Sequence, residues 1–423
     1  MNGITTQEKL YKKNLGTLLF QIWILSLAFY QIPILGMFSL NDLLAPLLLI
    51  VAGFQSLFPR STKSNSYSYL IYSLTISVFL LYIFGQLLSV LNIESLFWSR
   101  FWAVLKISGY FILPLLFIKE IDFLRRIYTL LVVDALIGTI SVFLVSTGIL
   151  QLEFSRFQPS RLGIPSLPAS TGLIGNSGDL ALLVTFTVLL IIGFPRESYL
   201  FGHWPKTIKS FVILCLFLGL LGSQSRNLAS SVLIAVFFFY VISITMSNGK
   251  FSLSLKIPIL ASFAFLLIPL IYFIAPNIYS IVVTEWGDVA HANAIVRIES
   301  YKVGLRLFLD SPLIGLGPDI YRKMPQFVGQ LHNLWLGSAL EGGLLALLTL
   351  TMLFAIAFFG ALRLIGDSTF KYDARVFAAF VISSISATSL YPAHGSHIFW
   401  LIFGISLSFT MMRRGSYSFS NSA

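Results

Sequence analysis

A histidine and an asparagine, His332 and Asn333, stand where a polar stretch of the chain changes into a long apolar one. Imidazole titrates near neutral pH, so a histidine can take a proton from a hydroxyl group as a general base. The apolar stretch predicts a helix that begins here, and the first turn of a helix carries partial positive charge. This pair therefore predicts a reaction with an anionic substrate, with a structural role at the helix end as the alternative.

A second polar element lies between two short apolar stretches at residues 222–227, in the order G-S-Q-S-R-N. Ser225 or Asn227 can cap the second stretch as a helix, and the free N–H groups of a helix start favour phosphate. Arg226 adds a forked donor that matches phosphate oxygens. The tip predicts a phosphate-binding element, and an arginine that reaches to a membrane interface is the alternative.

The polar stretch before His332 runs from about residue 276 to 333 and is the only long hydrophilic connection. Its residues 294–310 predict an amphipathic helix, with apolar side chains three or four positions apart at Ile295, Ile298, Tyr301, Leu305 and Phe308. Arg297 falls off that stripe. Asp310-Ser311-Pro312 ends the helix, and the following glycines predict a turn. Such a helix can lie on a membrane surface, where its basic side chains contact lipid headgroups.

Ionisable residues inside apolar stretches have a functional or paired role by default, because burying a charge in a membrane is costly. One of them, Glu341, follows His332 by nine residues, about 13 Å along a helix, and does not lie directly beneath it. Its neighbours Gly342 and Gly343 predict close helix packing, which favours a contact between Glu341 and an adjacent helix. The sequence leaves open the roles of Lys106, Asp134, Asp179, His394 and His397.

A metal site is not expected. His332, His394 and His397 can be written as a ligand set, but the chain has no H-E-x-x-H motif and no acidic cluster. The single cysteine, Cys215, excludes a disulfide within the chain.

The elements that position these residues follow from the composition. Hydrophobic residues make up 57% of the 423-residue chain, charged residues make up 11%, and the mean hydropathy is +0.86. A soluble domain carries about 25% charged residues. We predict an all-α polytopic membrane protein with about twelve transmembrane helices in a single domain, 1–423. The predicted spans are 15–37, 42–58, 68–92, 101–118, 127–149, 176–194, 210–224, 228–246, 257–275, 334–360, 376–392 and 398–412.

The distribution of lysine and arginine predicts the orientation of the spans. With both termini cytoplasmic, the inner segments hold 18 of the 28 basic residues and the outer segments hold nine. The net charge of +11 is therefore a signature of topology and does not indicate nucleic-acid binding. The long loop 276–333, between spans nine and ten, is then extracytoplasmic.

One stretch has a recognisable order of motifs. Residues 297–343 read R-I-E-S-Y-K-V-G-L-R-L-F-L-D-S-P-L-I-G-L-G-P-D-I-Y and, further on, H-N-L-W-L-G-S-A-L-E-G-G. This order of an arginine, a D-x-P turn with G-x-G, an H-N pair and an E-x-G resembles the bacterial O-antigen ligase and O-antigen polymerase superfamily. Ser225-Arg226 fits an earlier S-R element, and residues 161–176 fit an R…G…N element more loosely. Asn227 departs from the small residue usual after that arginine.

The resemblance implies an inverting, metal-independent glycosyltransferase without a cofactor. Its donor is a glycan, such as an O-antigen-like polysaccharide, on a polyprenyl diphosphate, and its acceptor is a lipid A-core or another glycan hydroxyl. By this resemblance Arg226 and Arg297, and less directly Arg161, bind the diphosphate. His332 is the catalytic base, supported by Asn333 and Glu341. The expected location is the bacterial inner membrane, in contact with membrane lipids, with the site facing the periplasm.

Two other functions stay open. A repeat-unit polymerase uses the same donor but extends another lipid-linked chain; the single, medium-sized outer loop with its His-Asn pair favours a ligase. A polysaccharide transporter or flippase belongs to another class, and twelve spans suit it. A transporter usually has two related halves and charges near the membrane midplane. No convincing internal repeat is visible here, and the polar residues crowd the outer face.

Overall fold

The fold was analysed in a computed structural model. It describes residues 15–29, 32–35, 38–57, 66–88, 97–152, 157–158, 169–194, 204–223, 226–246, 286–317, 331, 333–388 and 396–412. Within these ranges the helices are α1 Leu15–Leu25, α2 Leu40–Leu57, α3 Ser66–Leu88, α4 Phe97–Phe117, α5 Ile121–Ser146, α6 Ser177–Gly193, α7 Lys206–Ser223, α8 Arg226–Thr245, α9 Trp286–Asp310, α10 Leu334–Leu364, α11 Lys371–Thr388 and α12 His397–Thr410.

The described residues confirm a mainly helical, apolar protein. Three helical segments are long and apolar enough to cross a membrane: 70–87 within α3, the whole of α5, and the whole of α10. Shorter apolar helices accompany them. Each predicted span except the first and the ninth largely overlaps a described helix. The first, 15–37, was predicted too long, because its α-helix ends at Leu25, a 3-10 turn follows at Ser26–Phe29, and residues 33–35 form a strand. The ninth, 257–275, lies outside the described residues. The count of twelve spans and the sidedness stay predictions.

Two short strand pairs add to the helices. Strand β1 Pro33–Leu35 pairs antiparallel with β2 Phe38–Ser39, in the connection between α1 and α2. Strand β3 Phe157–Gln158 pairs antiparallel with β4 Ala169–Ser170, in the connection between α5 and α6. Both pairs lie in connections between consecutive helices and leave the all-α class unchanged.

Arginines mark one end of the helix bundle, which we call the lower end. There, α10 ends and α11 begins after a short connection. Arg363 Nη2 donates to the carbonyl of Thr410 at the end of α12, over 3.0 Å. Arg375 Nη2, near the start of α11, donates to the carbonyl of Met246 after α8, over 3.3 Å. These contacts place the ends of α8, α10 and α12 together at the lower end. The two arginines there also complement the helix dipoles, because cations are favourable at helix C-termini.

Helix α6 has the same direction. Its last residue, Gly193, lies so close to Val376 of α11 that a Cβ there would be 2.5 Å from Val376 Cγ2. At the other end, the Ser396 hydroxyl that caps α12 donates to Asp179 in the first turn of α6. Helices α6, α8, α10 and α12 therefore all begin at one end of the bundle, which we call the upper end.

A buried ion pair fastens α5 to the start of α11 at the lower end. Arg125 Nη2 lies 3.1 Å from Asp373 Oδ2 and also donates to the Thr369 carbonyl, over 3.0 Å. The hydroxyl of Tyr128 donates to Asp373 Oδ1, over 2.9 Å. Asp373 is fully buried, so these bonds compensate the cost of removing its charge from solvent.

Glycines bring α7 close to α5. A Cβ on Gly219 would lie 2.4 Å from the Cβ of Thr139, and one on Gly222 would lie 3.0 Å from the Cα of Phe143. The Ser146 hydroxyl donates to the Gly222 carbonyl, over 2.8 Å. Small residues at an interface allow such close approach of helices in membranes. This contact fixes the end of α7, from which the chain continues to Arg226.

The main hydrophobic core joins the helices through aromatic rings. Phe79 of α3 stacks on Phe111 of α4 with centroids 3.8 Å apart, and Trp400 of α12 meets Phe79 edge-on at 5.8 Å. A separate small cluster lies at the upper end around the buried Leu331 and Leu340. This second cluster connects α9 to the first part of α10, where the predicted site residues lie.

Candidate functional site

The structure places two predicted site elements at the upper end. Arg226 is the first residue of α8. Asn333 is the N-cap of α10, with its side-chain oxygen accepting from the Leu336 N–H over 2.9 Å. The predicted helix start directly after the His-Asn pair is thus confirmed. His332 and Arg161 lie outside the described residues, and of Arg226 and Arg297 only the backbone is described.

Helix α9 carries Arg297 and confirms the helix predicted for the long loop. It begins at Trp286, eight residues before the predicted start, and ends at Asp310 as predicted. Its predicted apolar stripe is divided, however. Tyr301 packs against the small upper cluster, whereas Ile298 and Leu305 are both 52% exposed.

The face of α9 that packs on α10 is centred on a glycine. A Cβ on Gly304 would lie 3.3 Å from a methyl group of Leu336 and 3.5 Å from one of Leu331. On another face, Lys302 and Glu299 form an exposed ion pair of 2.7 Å. Close contact with α10 therefore involves a position without a side chain, and contact of the exposed apolar residues with a membrane surface stays a prediction.

Helix α10 is interrupted at Gly343, although the sequence predicts one continuous span. Gly343 has φ 68° and ψ −163°, a combination that is essentially restricted to glycine. Next to it, Gly342 packs on α3, where a Cβ would lie 3.2 Å from the backbone of Gly85. The predicted close packing at Gly342-Gly343 is confirmed, and the break that accompanies it was missed.

The segment Ser311–Gly317, which we call the docking turn, fills the break. The turn closes on itself through the Ser311 hydroxyl, which donates to the Gly315 carbonyl over 3.0 Å. Three backbone hydrogen bonds then join it to α10: Leu316 N to Leu340 O (2.8 Å), Gly317 N to Glu341 O (3.1 Å) and Leu344 N to Pro312 O (2.7 Å). The turn thereby supplies partners for backbone groups at the break.

Glu341 lies at the break and is 1% exposed. Its carboxylate interacts electrostatically with Tyr82 of α3, whose hydroxyl is 3.5 Å from the Ser338 hydroxyl. This arrangement agrees with the predicted contact between Glu341 and an adjacent helix. Tyr82 and Ser338 themselves were not singled out from the sequence, because neither carries a charge.

Asp179 and His397, whose roles the sequence left open, meet at the upper end. The Ser396 hydroxyl donates to Asp179 Oδ1 and accepts from the Phe399 N–H, over 3.0 Å for the latter. His397 Nδ1 lies 4.0 Å from Asp179 Oδ2, and both side chains are buried. The carboxylate therefore stabilises the start of α12 and joins it to the start of α6.

A second ionic contact lies beside this pair. Lys106 of α4 forms a 2.6 Å ion pair with Asp42, in the first turn of α2. Lys106 also interacts electrostatically with His397, whose ring lies 5.3 Å from that of Tyr110. These ionisable groups are partnered with one another between helices, which favours a structural role for them.

Asp134 of α5 differs from these groups. It is fully buried near the backbone of Ala28, and neither of its carboxylate oxygens has a hydrogen bond of good geometry to a described group. Among the residues that the structure describes, no group of three or more His, Cys, Asp or Glu lies close enough to hold a metal ion.

The protein has long apolar helices, and polar residues gather at the ends of several of them. These features indicate an integral membrane protein. Within that class, residues 211–351 match the family model described as O-antigen ligase, so this third of the chain is similar to that family. No curated protein matches the chain. The matched segment runs from α7 into α10 and includes Arg226, Arg297, His332, Asn333 and Glu341, whereas Arg161 precedes it.

Proposed function

We propose that the protein transfers an O-antigen-like glycan from a polyprenyl diphosphate to a hydroxyl group of an acceptor, at the upper end of the bundle. The observation that carries this proposal is the O-antigen ligase match over residues 211–351. The same segment contains the starts of α8 and α10, which lie at the upper end. It also contains Leu336 of α10, against which Gly304 of α9 packs. The upper end then faces the periplasm from the bacterial inner membrane.

The chemistry is a single displacement at the anomeric carbon. The acceptor oxygen attacks this carbon, the bond from carbon to the diphosphate oxygen breaks, and the configuration is inverted. His332 takes the proton of the acceptor hydroxyl, and the polyprenyl diphosphate leaves as an anion. Arg226, Arg297 and the helix starts beside them stabilise the charge that grows on the leaving group, with Arg161 as a further candidate.

Asn333 and Glu341 support this site from α10. The Asn333 cap fixes the first turn of the helix directly after His332. Glu341 is buried and interacts electrostatically with Tyr82, which supports a role in holding α10 more than direct contact with the substrate. Fixed positive charge from arginines and helix starts takes the part that a metal ion plays in other diphosphate-dependent transferases.

The test is transfer by purified protein in nanodiscs. A polyprenyl-diphosphate glycan is supplied with and without a lipid A-core acceptor, in EDTA, to wild type and to His332→Ala. We expect product that depends on the acceptor, resists EDTA and is lost in His332→Ala, while the variant keeps its thermal unfolding temperature. Transfer at the wild-type rate by His332→Ala would remove the base assignment, and loss of product in EDTA would remove the metal-independent mechanism.

The same assay separates the other candidates. Longer lipid-linked chains made without the lipid A-core acceptor would identify a repeat-unit polymerase. The buried Asp134 is the observation that favours a transporter or flippase, because an isolated intramembrane carboxyl is typical of transport pathways. Movement of the lipid-linked glycan across the bilayer without any covalent product would identify that class.

A further inference from the structure

We propose that the docking turn, Ser311–Gly317, is a positioning device for the transfer reaction: it holds α9 against the first part of α10 and so sets Arg297 in register with His332. This inference rests on the proposed function. It makes Gly315 and Gly343 positioning residues, because neither contributes a side chain that can touch the substrate.

The docking turn is matched to the break by hydrogen bonding. In an uninterrupted helix the Leu344 N–H would bond to the Leu340 carbonyl. Here the Leu340 carbonyl accepts from Leu316, and Leu344 donates to Pro312 instead. Backbone groups inside a membrane bundle need partners within the protein. The backbone groups at the break and those of the docking turn are thus hydrogen-bond partners of one another.

Two glycines allow these backbones to meet. Gly315 has φ +77°, and a Cβ there would lie 2.6 Å from the carbonyl oxygen of Glu341. Gly343 has φ +68°, and a Cβ there would lie 2.2 Å from the carbonyl oxygen of Leu313. The atoms in the way belong to the backbone, so a side chain at either position must push the turn out of the break.

The contacts on either side of the docking turn define the path of α9. Gly304 lies against Leu336 in the first turn of α10, and Gly315 lies against the break at Gly343. The chain from 304 to 315 therefore follows α10 from its start toward the break. Residue 297 is seven residues before Gly304, about 10 Å along the helix, which places it at the end where α10 begins.

This path has a chemical consequence. His332 precedes α10 by two residues and Arg297 stands on α9, so the base and the diphosphate ligand belong to different elements. A displacement requires the acceptor oxygen and the leaving group on opposite sides of one carbon, and a misplacement of about 1 Å can cost 100-fold in rate. The Gly304–Leu336 contact joins the two elements near the start of α10, and the docking turn joins them again at the break, so the two contacts together can hold that register.

The test compares two glycines with positive φ. Gly343→Ala places a Cβ into the docking turn, whereas Gly148→Ala has nothing within 4 Å of its Cβ at φ +74°. The control therefore carries a positive φ without the collision. Spin labels at 302 and 351, both exposed positions, report the distance between α9 and α10 in a Cys215→Ser background.

We expect Gly343→Ala to lower kcat at least tenfold, with a smaller change in KM for the donor, and to broaden the 302–351 distance distribution. Gly148→Ala should keep the wild-type rate and distance. A loss of kcat with an unchanged distance would overturn the proposal, as would an unchanged kcat with a broadened distance. Absence of transfer by the wild type would contradict the proposed function alone, because the distance measurement does not depend on catalysis.

A second variant leaves both glycines in place. Leu313→Cys with Leu344→Cys, at exposed positions beside the Leu344–Pro312 bond, allows the turn to be cross-linked to α10. If the turn stays docked during catalysis, the oxidised protein transfers at the rate of the reduced one. Loss of transfer on oxidation, reversed by a reductant, would overturn the proposal even if Gly343→Ala does not fold.

Discussion

The two arginines of α9 lie on opposite faces of the helix. Arg297 and Arg306 are nine residues apart, and nine steps of about 100° place them on opposite sides of an α-helix. Arg306 is exposed. One helix thus offers a proposed diphosphate ligand and a matched control with the same charge.

We predict that Arg297→Ala lowers transfer by at least 100-fold, because the leaving diphosphate loses its forked donor. Arg297→Lys should recover only part of this loss, since an ammonium group keeps the charge but not the fork. Arg306→Ala should stay within about twofold of wild type. Initial rates with the lipid-linked donor measure all three. Equal losses in Arg297→Ala and Arg306→Ala would indicate a general effect of charge and contradict the assignment.

At the scale of single elements, the contact between α5 and α7 fixes the helical hairpin that carries Arg226. Gly219 and Gly222 lie against Thr139 and Phe143 at distances that leave no room for a side chain. Since α8 begins only three residues after α7 ends, a shift of α7 moves the start of α8. The position of Arg226 therefore depends on two glycines that contribute no side chain to the site.

We predict that Gly219→Ala destabilises the protein by about 2 kcal/mol, the usual cost of overpacking a tight interface. The matched control is Gly109→Ala on α4, where a Cβ would lie 4.0 Å from Ala45 Cβ in ordinary contact. Both changes replace a helical glycine by a better helix former, so the difference between them reports packing alone. Unfolding in detergent with a graded denaturant measures it; equal stability of the two variants would refute tight packing.

The elements differ in how far the sequence predicts them. The start of α10 at Leu334 and the end of α9 at Asp310 follow from local signals, an N-cap asparagine and a D-S-P sequence. The break at Gly343 does not, because the hydrogen-bond partners of its backbone groups come from a turn 24 to 32 residues away in the chain. A hydropathy average over residues 334–360 is uniformly high, so it predicts one continuous span and gives no sign of the break. Glycine pairs inside such a span are the signal that could have revealed it.

In the candidate site too, features with a local sequence signal were predictable, whereas contacts between distant residues were not. Helix starts at Arg226 and Leu334 were predictable from caps and apolar length, and the motif order predicted the family whose model residues 211–351 match. The partnership of Asp179 with Ser396 and His397 joins residues more than 200 positions apart in the chain. No local pattern relates them, so the sequence alone could not assign Asp179 its place at the start of α12.

At the scale of the whole molecule, the two ends of the bundle have different charge chemistry. The lower end holds Arg125, Arg363 and Arg375, each of which donates to a backbone carbonyl. The upper end holds the starts of α6, α8, α10 and α12. Basic residues concentrate on the cytoplasmic side of membrane proteins. This asymmetry supports an upper end that faces the periplasm.

We predict that a membrane-impermeant maleimide labels Lys302→Cys in intact cells whose outer membrane is permeable to it. Ser368→Cys, an exposed position between α10 and α11 at the lower end, should react only after the inner membrane is broken. Both variants are made in a Cys215→Ser background, which removes the single native thiol. Labelling of Ser368→Cys in intact cells would reverse the predicted orientation.

The docking turn also bears on how the chain is made. A ribosome delivers residues 311–317 before residues 340–344, so the partners of the interrupted helix already exist when that helix enters the bilayer. A helix with unsatisfied backbone groups inside the membrane is poorly tolerated by lipid. The order of synthesis therefore protects the weakest point of α10 during insertion, and a circular permutant that places the turn after the helix would lose that protection.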